Sequence, residues 1–169
     1  MRITDTHIYF YTSWMSNWTP SNLNIIYNGL KFTNSEQLFM WHKAQYFRDY
    51  ETGTRIVNEG HDPKIAKDLG RQVKNYDDKK WSLLREYYMY LAVKSKFESF
   101  DELSNLLIDT GNKILVEASP IDKIWGVGIA EKDDNILDEA NWKGLNLLGI
   151  VLMKVRNELI FNKLVNINT

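Results

Sequence analysis

Several features that mark common functional classes are missing from this chain of 169 residues. It has no cysteine, which excludes disulfide bonds and Cys-ligated metals and argues against a secreted disulfide scaffold. Its histidines, His7, His42 and His61, do not occur at metal-ligand spacing. The chain also lacks a glycine-rich phosphate loop and a Ser-x-Gly nucleophile elbow. We therefore predict chemistry that uses neither a metal ion nor a cofactor.

Charge and hydrophobicity also limit the partners of the protein. A formal net charge of −1 gives no broad attraction for nucleic acid, although a local basic patch is compatible with it. The first residues, Met1 to Asp5, lack the basic-then-apolar pattern of a signal peptide. No apolar run approaches the roughly 20 residues that span a membrane. The expected location is the cytoplasm, without membrane contact.

The order of the secondary-structure patterns predicts one domain over residues 1–169, with its core between about 7 and 161. Strand patterns come first and helical patterns follow, which favours a mostly helical α+β fold with a small N-terminal sheet and hairpin packed with a helical bundle. Asn28-Gly29 between two apolar segments is the strongest hairpin signal. The predicted strands cover 6–12, 23–27, 30–32 and 113–119, the predicted helices cover 33–49, 54–59, 63–69, 78–97, 101–110 and 147–161, and the tail 162–169 is expected to fray.

The stretch from Thr33 to Asp49 is the most informative part of the chain. Thr33 and Glu36 form a capping box, which predicts that a helix begins at Thr33. Glu36 and Lys43 then share one helix face with apolar residues, about 10 Å apart along the axis. A carboxylate and an amine on a partly desolvated face can serve as a base and a nucleophile. The alternative is a pair of surface charges without chemical function.

Two loops place aromatic rings beside polar residues. They are Ser16-Asn17-Trp18 and Asp122-x-x-Trp125-Gly126-x-Gly128. Such rings either cap a core or stack on flat ligands such as bases, and both readings remain open here. Together with the Glu36 and Lys43 face, the loops would supply two carboxylates, an amine, an amide and aromatic faces. This inventory suits a heterocycle joined to a sugar, where two carboxylates can divide acid and base work.

Several separated blocks of this sequence resemble the YbiA-like, or NADAR, N-glycosidases, in order and spacing from about residue 10 to 160. The blocks are Ser-Asn-Trp (16–18), the hairpin into Asn-Ser-Glu-Gln-Leu-Phe-x-x-x-Lys-Ala (34–44), Ala-Lys-x-x-Gly-Arg (66–71), Trp81, Met89 with Lys96-Phe97, Leu-x-x-Thr-Gly (107–111), Leu-Val-Glu-Ala-Ser (115–119), Asp-x-x-Trp-Gly-x-Gly (122–128) and Trp-x-Gly-x-Asn-x-Leu-Gly-x-x-Leu-Met-x-x-Arg (142–156).

The resemblance implies a largely helical α+β fold and hydrolysis of an N-glycosidic bond to a ribose C1. Members are associated with ribosylamino-pyrimidine phosphates of riboflavin biosynthesis, and others remove ADP-ribose from guanine in DNA. By matched position, Glu36 is the motif carboxylate and Lys43 the motif lysine, which would attack C1 and pass through an imine. The remaining matched site positions are Asp122 as a further catalytic residue and Asn17, Trp18, Arg71, Trp81, Trp125, Gly126 and Gly128 in substrate binding.

The sequence departs from the family at two of its motifs. Gln37 follows the motif Glu where many members have His, and Trp18 stands where many have Phe. Either change could shift substrate preference. A basic cluster over 64–80 is either a solvated helical face or a path for phosphates.

We therefore predict a nucleotide-like substrate, with ADP-ribosylated guanine in DNA favoured and DNA as its carrier. Ribosylamino-pyrimidine phosphates are the alternative substrate. A non-catalytic module that binds ADP-ribose or another nucleotide is the alternative of another class.

Overall fold

The computed structural model describes residues 1–19 and 24–167, and its fold is α+β with helices predominating, as predicted. The chain divides into two compact units, which we call the central unit (Asn17–Phe100) and the terminal unit (Met1–Ser16 with Asp101–Thr169). The strands are β1 (Arg2–Ile3), β2 (His7–Phe10), β3 (Ile25–Tyr27), β4 (Leu30–Phe32) and β5 (Ile114–Glu117), and the helices are α1 (Ser35–Tyr46), α2 (Tyr50–Glu59), α3 (Pro63–Arg71), α4 (Asp78–Glu98), α5 (Asp101–Ile108) and α6 (Leu147–Ile167).

The central unit begins with the predicted hairpin. Strands β3 and β4 pair antiparallel, and Asn28 and Gly29 connect them with φ angles of 49° and 77°. Both angles lie in the left-handed region that a tight two-residue turn requires, which explains why Asn and Gly occupy these positions. Residue 23, where the first strand of the hairpin was predicted to begin, lies outside the described residues.

Helix α1 begins at Ser35, two residues later than predicted. Its N-cap is Asn34, whose side-chain oxygen accepts from the Gln37 backbone N–H at 2.8 Å. Thr33 instead donates from its backbone N–H and its hydroxyl to Gln37 Oε1, at 2.8 and 3.2 Å. The predicted capping box of Thr33 and Glu36 is therefore wrong: Asn34 is the cap, and the side chain of Gln37, three residues later, accepts from Thr33, which precedes the cap. The helix ends at Tyr46, before the predicted end at Asp49.

The next three helices each begin at an aspartate cap. Asp49 accepts from Thr52 N, so α2 begins at Tyr50, earlier than the predicted 54. Asp62 caps α3, and Asp77 caps α4. The predicted stop of α3 at Gly70 is wrong, because Gly70 is helical and Arg71 is the last residue of the helix. Gly70 lies against the Met40 side chain of α1.

The terminal unit contains a three-stranded sheet in the order β1-β2-β5. β2 and β5 pair in parallel, with Tyr9 opposite Val116 and Phe10 opposite Glu117. The sequence predicted a small sheet at the N-terminus and a separate strand over 113–119. It did not predict that this strand, β5, joins the N-terminal sheet. Its buried apolar cluster consists of Tyr9, Val116, Ala118, Val127, Ile129 and Ile136.

Helix α6 packs closely on β5 and is longer than predicted. A Cβ atom added at Gly149 would lie 2.0 Å from the Leu115 carbonyl oxygen, so only glycine allows this approach. Before the helix, Asn146 accepts from Glu117 N and donates to Leu115 O, both at 2.9 Å, as a neighbouring strand would. The helix continues to Ile167, beyond its predicted end at 161. Residues 168 and 169 lie outside the described part.

Within residues 1–19 and 24–167, none of the helices combines the length and apolar character that a membrane span needs.

Candidate active site

The carboxylate of Glu36 lies in the first turn of α1, in the central unit. Glu36 is 4% exposed and Asn17 is 9% exposed. The Asn17 amide Nδ2 donates to Glu36 Oε2, and the Asn17 carbonyl accepts from the Glu36 backbone N–H at 3.1 Å. Because one residue contacts both the backbone and the side chain of Glu36, the carboxylate is held in a single orientation. The structure therefore brings together two residues that the sequence placed in separate motifs.

The amine of Lys43 lies two turns further along the same face and is half-buried. Its Nζ donates to the Gly70 carbonyl oxygen at 2.8 Å and lies 4.1 Å from the centre of the Tyr76 ring. Burial lowers the pKa of Lys43 below its ordinary value, and Arg71 adds to this effect. Asp78 and Glu36 act in the opposite direction, without cancelling the effect of burial. The free amine is therefore a larger fraction than in an exposed lysine.

Gly70 positions the carbonyl group that contacts Lys43. A Cβ atom added at Gly70 would lie 2.0 Å from Met40 Sδ and 2.8 Å from its Cγ. Met40 lies on the same face of α1, between Glu36 and Lys43, and is 7% exposed. Glycine at this position lets α3 approach α1 without displacing the Met40 side chain.

The departure of this chain at Gln37 lies away from the Glu36 face. Gln37 is fully buried, and its Nε2 donates to the carbonyl oxygens of Ile56 and Val57 at 2.8 and 3.2 Å. Its Oε1 accepts from Thr33. The side chain thus joins the start of α1 to α2, so a structural role accounts for it, and the expectation that Gln37 shifts substrate preference receives no support from its contacts.

The other predicted binding residues of the central unit differ in exposure. Trp18 is 39% exposed, and Lys67 Nζ lies 5.3 Å from the centre of its ring. Arg71 is exposed and pairs with Asp68 at 2.9 Å. Trp81 is 5% exposed and stacks on Tyr88 with ring centres 5.5 Å apart. Trp18 and Arg71 are accessible to a ligand, whereas Trp81 is buried against neighbouring rings.

The loop with Asp122 belongs to the terminal unit. Asp122 Oδ1 accepts from the backbone N–H groups of Ile124 and Trp125, both at 2.8 Å, which fixes the turn that presents the Trp125 ring. A Cβ atom at Gly126 would lie 2.8 Å from the Glu117 carbonyl oxygen, so this glycine allows the loop to approach β5. Gly128 has a φ of 71°, which favours glycine. Both predicted substrate contacts thus have a sufficient explanation in the packing of the loop.

Sequence reasoning missed two buried ionisable groups. Glu117 is 6% exposed, its Oε2 has no hydrogen-bond partner among the described residues, and burial together with Asp122 raises its pKa to about 8. Lys96 is 2% exposed, and burial lowers its pKa to about 7. The position of Glu117 among apolar residues in 115–118 was an available signal, whereas Lys96 lies beside Ser95 and near Lys94 and had none. No group of three or more His, Asp or Glu side chains in the described part of the chain could hold a metal ion.

Comparison with known proteins gives the family. A family model described as the NADAR domain matches residues 5–160. The chain belongs to the NADAR family. The protein R617 of Acanthamoeba polyphaga mimivirus, named an N-glycosidase, is 39% identical over 146 residues, which cover 85% of each chain.

Two further matches are a solved structure and a plant protein. The NMR structure of the E. coli protein YbiA matches with a TM-score of 0.75 and 30% identity, covering 96% of this chain and 90% of that one. The maize chloroplast protein PYRR, named a riboflavin biosynthesis protein, is 32% identical over 168 residues, covering 90% of this chain and 25% of PYRR. The resemblance stated from the sequence blocks is confirmed, and so is the YbiA-like α+β fold.

Proposed function

We propose that this protein removes ADP-ribose from ADP-ribosylated guanine in DNA, with Lys43 as the nucleophile and Glu36 as the group that transfers protons. At the coarser level the protein is an N-glycosidase, a hydrolase that acts on N-glycosyl bonds, in keeping with its NADAR membership and the name of its relative R617. The substrate and the roles of individual residues are the proposed part. Asp122, Trp125, Gly126 and Gly128 keep their predicted roles in it.

The environment of the Lys43 amine is the observation that supports this mechanism. An amine attacks a carbon only when it is unprotonated, and burial lowers the pKa of Lys43. A neutral amine can donate one N–H to the Gly70 carbonyl oxygen and still present its lone pair to a substrate. The Tyr76 ring, 4.1 Å from Nζ, stabilises the charge when the nitrogen becomes cationic.

The bonds change in three steps. The Lys43 nitrogen forms a bond to C1 of the ribose while the C1–N bond to guanine breaks. The electron pair of the broken C1–N bond stays on the guanine nitrogen, which takes up a proton. The C1–O4′ bond then opens, giving an imine between Lys43 and the open ribose, and O4′ takes up a proton. Water finally adds to C1 and releases both the ribose and the free amine. A covalent lysine intermediate of this kind divides one difficult step into several easier ones.

Glu36 is the candidate for the proton transfers that lies on the same helix face as Lys43. Its carboxylate is coupled electrostatically to Lys43, and Asn17 fixes one of its oxygens. The N-terminal position on α1 favours the ionised form of a carboxylate, which can remove a proton from the attacking amine. The same group, once protonated, can return that proton to the departing base or to O4′.

The choice between DNA and a small metabolite depends on phosphate contacts. Most cations of the basic cluster over 64–80 are paired with carboxylates, and the pairs are Lys64 and Arg71 with Asp68, Lys74 with Glu51 and Lys80 with Asp77. Exposed pairs of this kind open at little cost, so they can exchange a carboxylate for a phosphate. The relative PYRR, with its name from riboflavin biosynthesis, supports ribosylamino-pyrimidine phosphates as the second candidate substrate.

A paired turnover assay tests the proposal. The wild-type protein is incubated with a DNA oligonucleotide carrying ADP-ribosylated guanine and, separately, with a ribosylamino-pyrimidine phosphate. Borohydride is added to a third set of reactions, because it reduces an imine to a stable amine. We expect release of ADP-ribose from the DNA, and a mass increase that maps by peptide analysis to Lys43.

Two variants separate the mechanism from the substrate. Lys43→Ala should lose both turnover and the trapped adduct, whereas Lys31→Ala, an exposed lysine of β4 outside the basic cluster, should keep both. Turnover of the pyrimidine alone would assign the second substrate while leaving the mechanism intact. Normal turnover by a folded Lys43→Ala would reject the imine. Binding of ADP-ribose by calorimetry without turnover of either substrate would favour the non-catalytic binding module.

A further inference from the structure

A second cleft opens in the central unit, on the far side of α1 from Glu36 and Lys43. Its volume is about 400 Å³, within the roughly 300 to 1,000 Å³ range of small-ligand sites. Trp41 and Gln45 project into it from positions about 140° and 180° around the helix from Glu36. We call it the tyrosine cleft, and its lining residues are Tyr27, Asn28, Trp41, His42, Gln45, Tyr46, Tyr87, Tyr88 and Leu91.

The lining of the tyrosine cleft carries no charge at neutral pH. No Lys, Arg, Asp or Glu is among its residues. Burial lowers the pKa of His42 to about 4, so its ring is neutral. Burial also raises the pKa of Tyr27 and of Tyr88, so their phenols keep their protons. A neutral lining gives no compensation for a buried ionic group, so the part of a ligand that enters must be uncharged.

The rings of the cleft form a rigid floor with one accessible edge. The His42 ring lies 4.8 Å from that of Tyr27 and 5.1 Å from that of Tyr88, measured between ring centres. Tyr88 in turn stacks on Trp81. Tyr87 is 54% exposed, and its ring meets that of Tyr88 edge to face, with ring centres 5.5 Å apart. A flat ligand can therefore lie against half-buried aromatic faces, with Tyr87 at the entrance.

The polar groups of the cleft are available for a ligand. The side-chain amides of Asn28 and Gln45 and the hydroxyl of Tyr87 form no hydrogen bond with any of the described residues. His42 Nε2 is buried and also lacks a partner in the described part of the chain. Side-chain amides offer a donor and an acceptor side by side, which is the pattern that the edge of a nucleobase presents.

We propose that the tyrosine cleft binds an uncharged heteroaromatic ring of the nucleobase type, presented by a free nucleoside or by a base of a single-stranded nucleic acid. Aromatic side chains hold the flat face of the ring, and Asn28 and Gln45 contact its edge. This site is distinct from the Glu36 and Lys43 face, so its occupancy does not depend on the proposed hydrolysis.

Calorimetric titration of the full chain tests this site. The ligands are adenosine, cytidine and a short single-stranded DNA oligonucleotide without ADP-ribose. Tyr87→Ala removes the exposed ring of the cleft, and Tyr50→Ala is the matched control, because Tyr50 is 60% exposed and does not line the cleft. Loss of stacking on one ring corresponds to a roughly 5- to 150-fold weakening of binding. We expect that change for Tyr87→Ala and none for Tyr50→Ala.

The outcomes distinguish the source of the base and the place where it binds. Similar affinity for nucleosides and the oligonucleotide assigns free nucleosides, and binding at least tenfold tighter for the oligonucleotide assigns a nucleic acid. NMR titration of the wild type provides a second measurement, with expected shifts at the side-chain NH₂ groups of Asn28 and Gln45. No saturable binding, equal affinity in Tyr87→Ala, or shifts at Asn17 alone would overturn the inference.

Discussion

Replacing Glu117 by Gln should change how the stability of this protein depends on pH. Glu117 is 6% exposed, and burial together with the charge of Asp122 raises its pKa to about 8 from the ordinary 4.5. In the unfolded chain the same carboxyl loses its proton near pH 4.5. Between these two values the folded protein holds one proton more than the unfolded chain, so the free energy of unfolding falls as pH rises.

The size of this effect follows from the shift. Each unit of pKa difference corresponds to about 1.36 kcal/mol, so a shift from 4.5 to about 8 corresponds to at most about 5 kcal/mol, fully lost above the folded-state value. Relaxation around the buried charge reduces this figure, and we expect about 3 to 5 kcal/mol. Such a loss is a large part of the roughly 5 to 15 kcal/mol that stabilises an ordinary domain.

Urea unfolding at pH 5.0, 6.5 and 8.5 measures the effect for the wild type and for Glu117→Gln. The amide cannot ionise, so the variant should gain stability relative to the wild type by about 2 to 4 kcal/mol from pH 5.0 to 8.5, which is less than the full effect because the wild-type carboxyl has begun to ionise in the unfolded chain at pH 5.0. The glutamine side chain places an N–H group at a buried site where Glu117 Oε2 has no hydrogen-bond partner among the described residues. This unsatisfied donor lowers the stability of the variant by about 1 to 3 kcal/mol at every pH.

Other titrating groups, including Lys96 and His42, occur in both proteins and cancel in the difference. Glu102→Gln, at an exposed position of α5, is the control and should give a flat difference. If the difference for Glu117→Gln also stays constant within about 0.5 kcal/mol from pH 5.0 to 8.5, the carboxyl ionises normally and the reasoning from its burial is refuted.

Three further predictions concern close contacts. Gly70→Ala should lose about 1 to 3 kcal/mol in urea unfolding, because its Cβ would lie 2.0 Å from Met40 Sδ, and Met40→Ala in the same chain should recover part of that loss; additive losses would mean that the two residues do not interact. Asn17→Ala should lower turnover and cost about 1 to 3 kcal/mol, because Glu36 loses a buried amide donor, and unchanged kinetics would remove Asn17 from the site. Asn146→Ala leaves two backbone groups of β5 without partners, so amide hydrogen exchange in β5 should accelerate at least tenfold; unchanged exchange would contradict this role.

Local signals determined much of this structure. The Asn28-Gly29 turn was predictable because a two-residue hairpin needs two left-handed residues, and those two types adopt that conformation readily. The caps Asp62 and Asp77 were predictable for a similar reason, since a cap and the amides it accepts from lie within three residues. The shared face of Glu36, Met40 and Lys43 follows from the helical repeat alone.

Family blocks in the sequence determined the family, because they preserve order and spacing over most of the chain. They also predicted which side chains belong to the site, although the substrate and the role of each residue stay predictions. The direct bond between Asn17 and Glu36 was not predictable in this way, because 19 residues separate them and only folding sets their distance.

Only the tertiary structure decided the features that depend on distant neighbours. Gly70 reads as a helix stop in sequence, but the approach of Met40 makes it a helical residue under a close contact. β5 joins β2 in parallel across about a hundred residues, a pairing that no local pattern specifies. Glu117 is an ordinary acidic residue in sequence, and its raised pKa arises from the desolvation that folding imposes on it. Sequence thus fixed local backbone geometry and residue chemistry, whereas packing fixed the environment in which that chemistry operates.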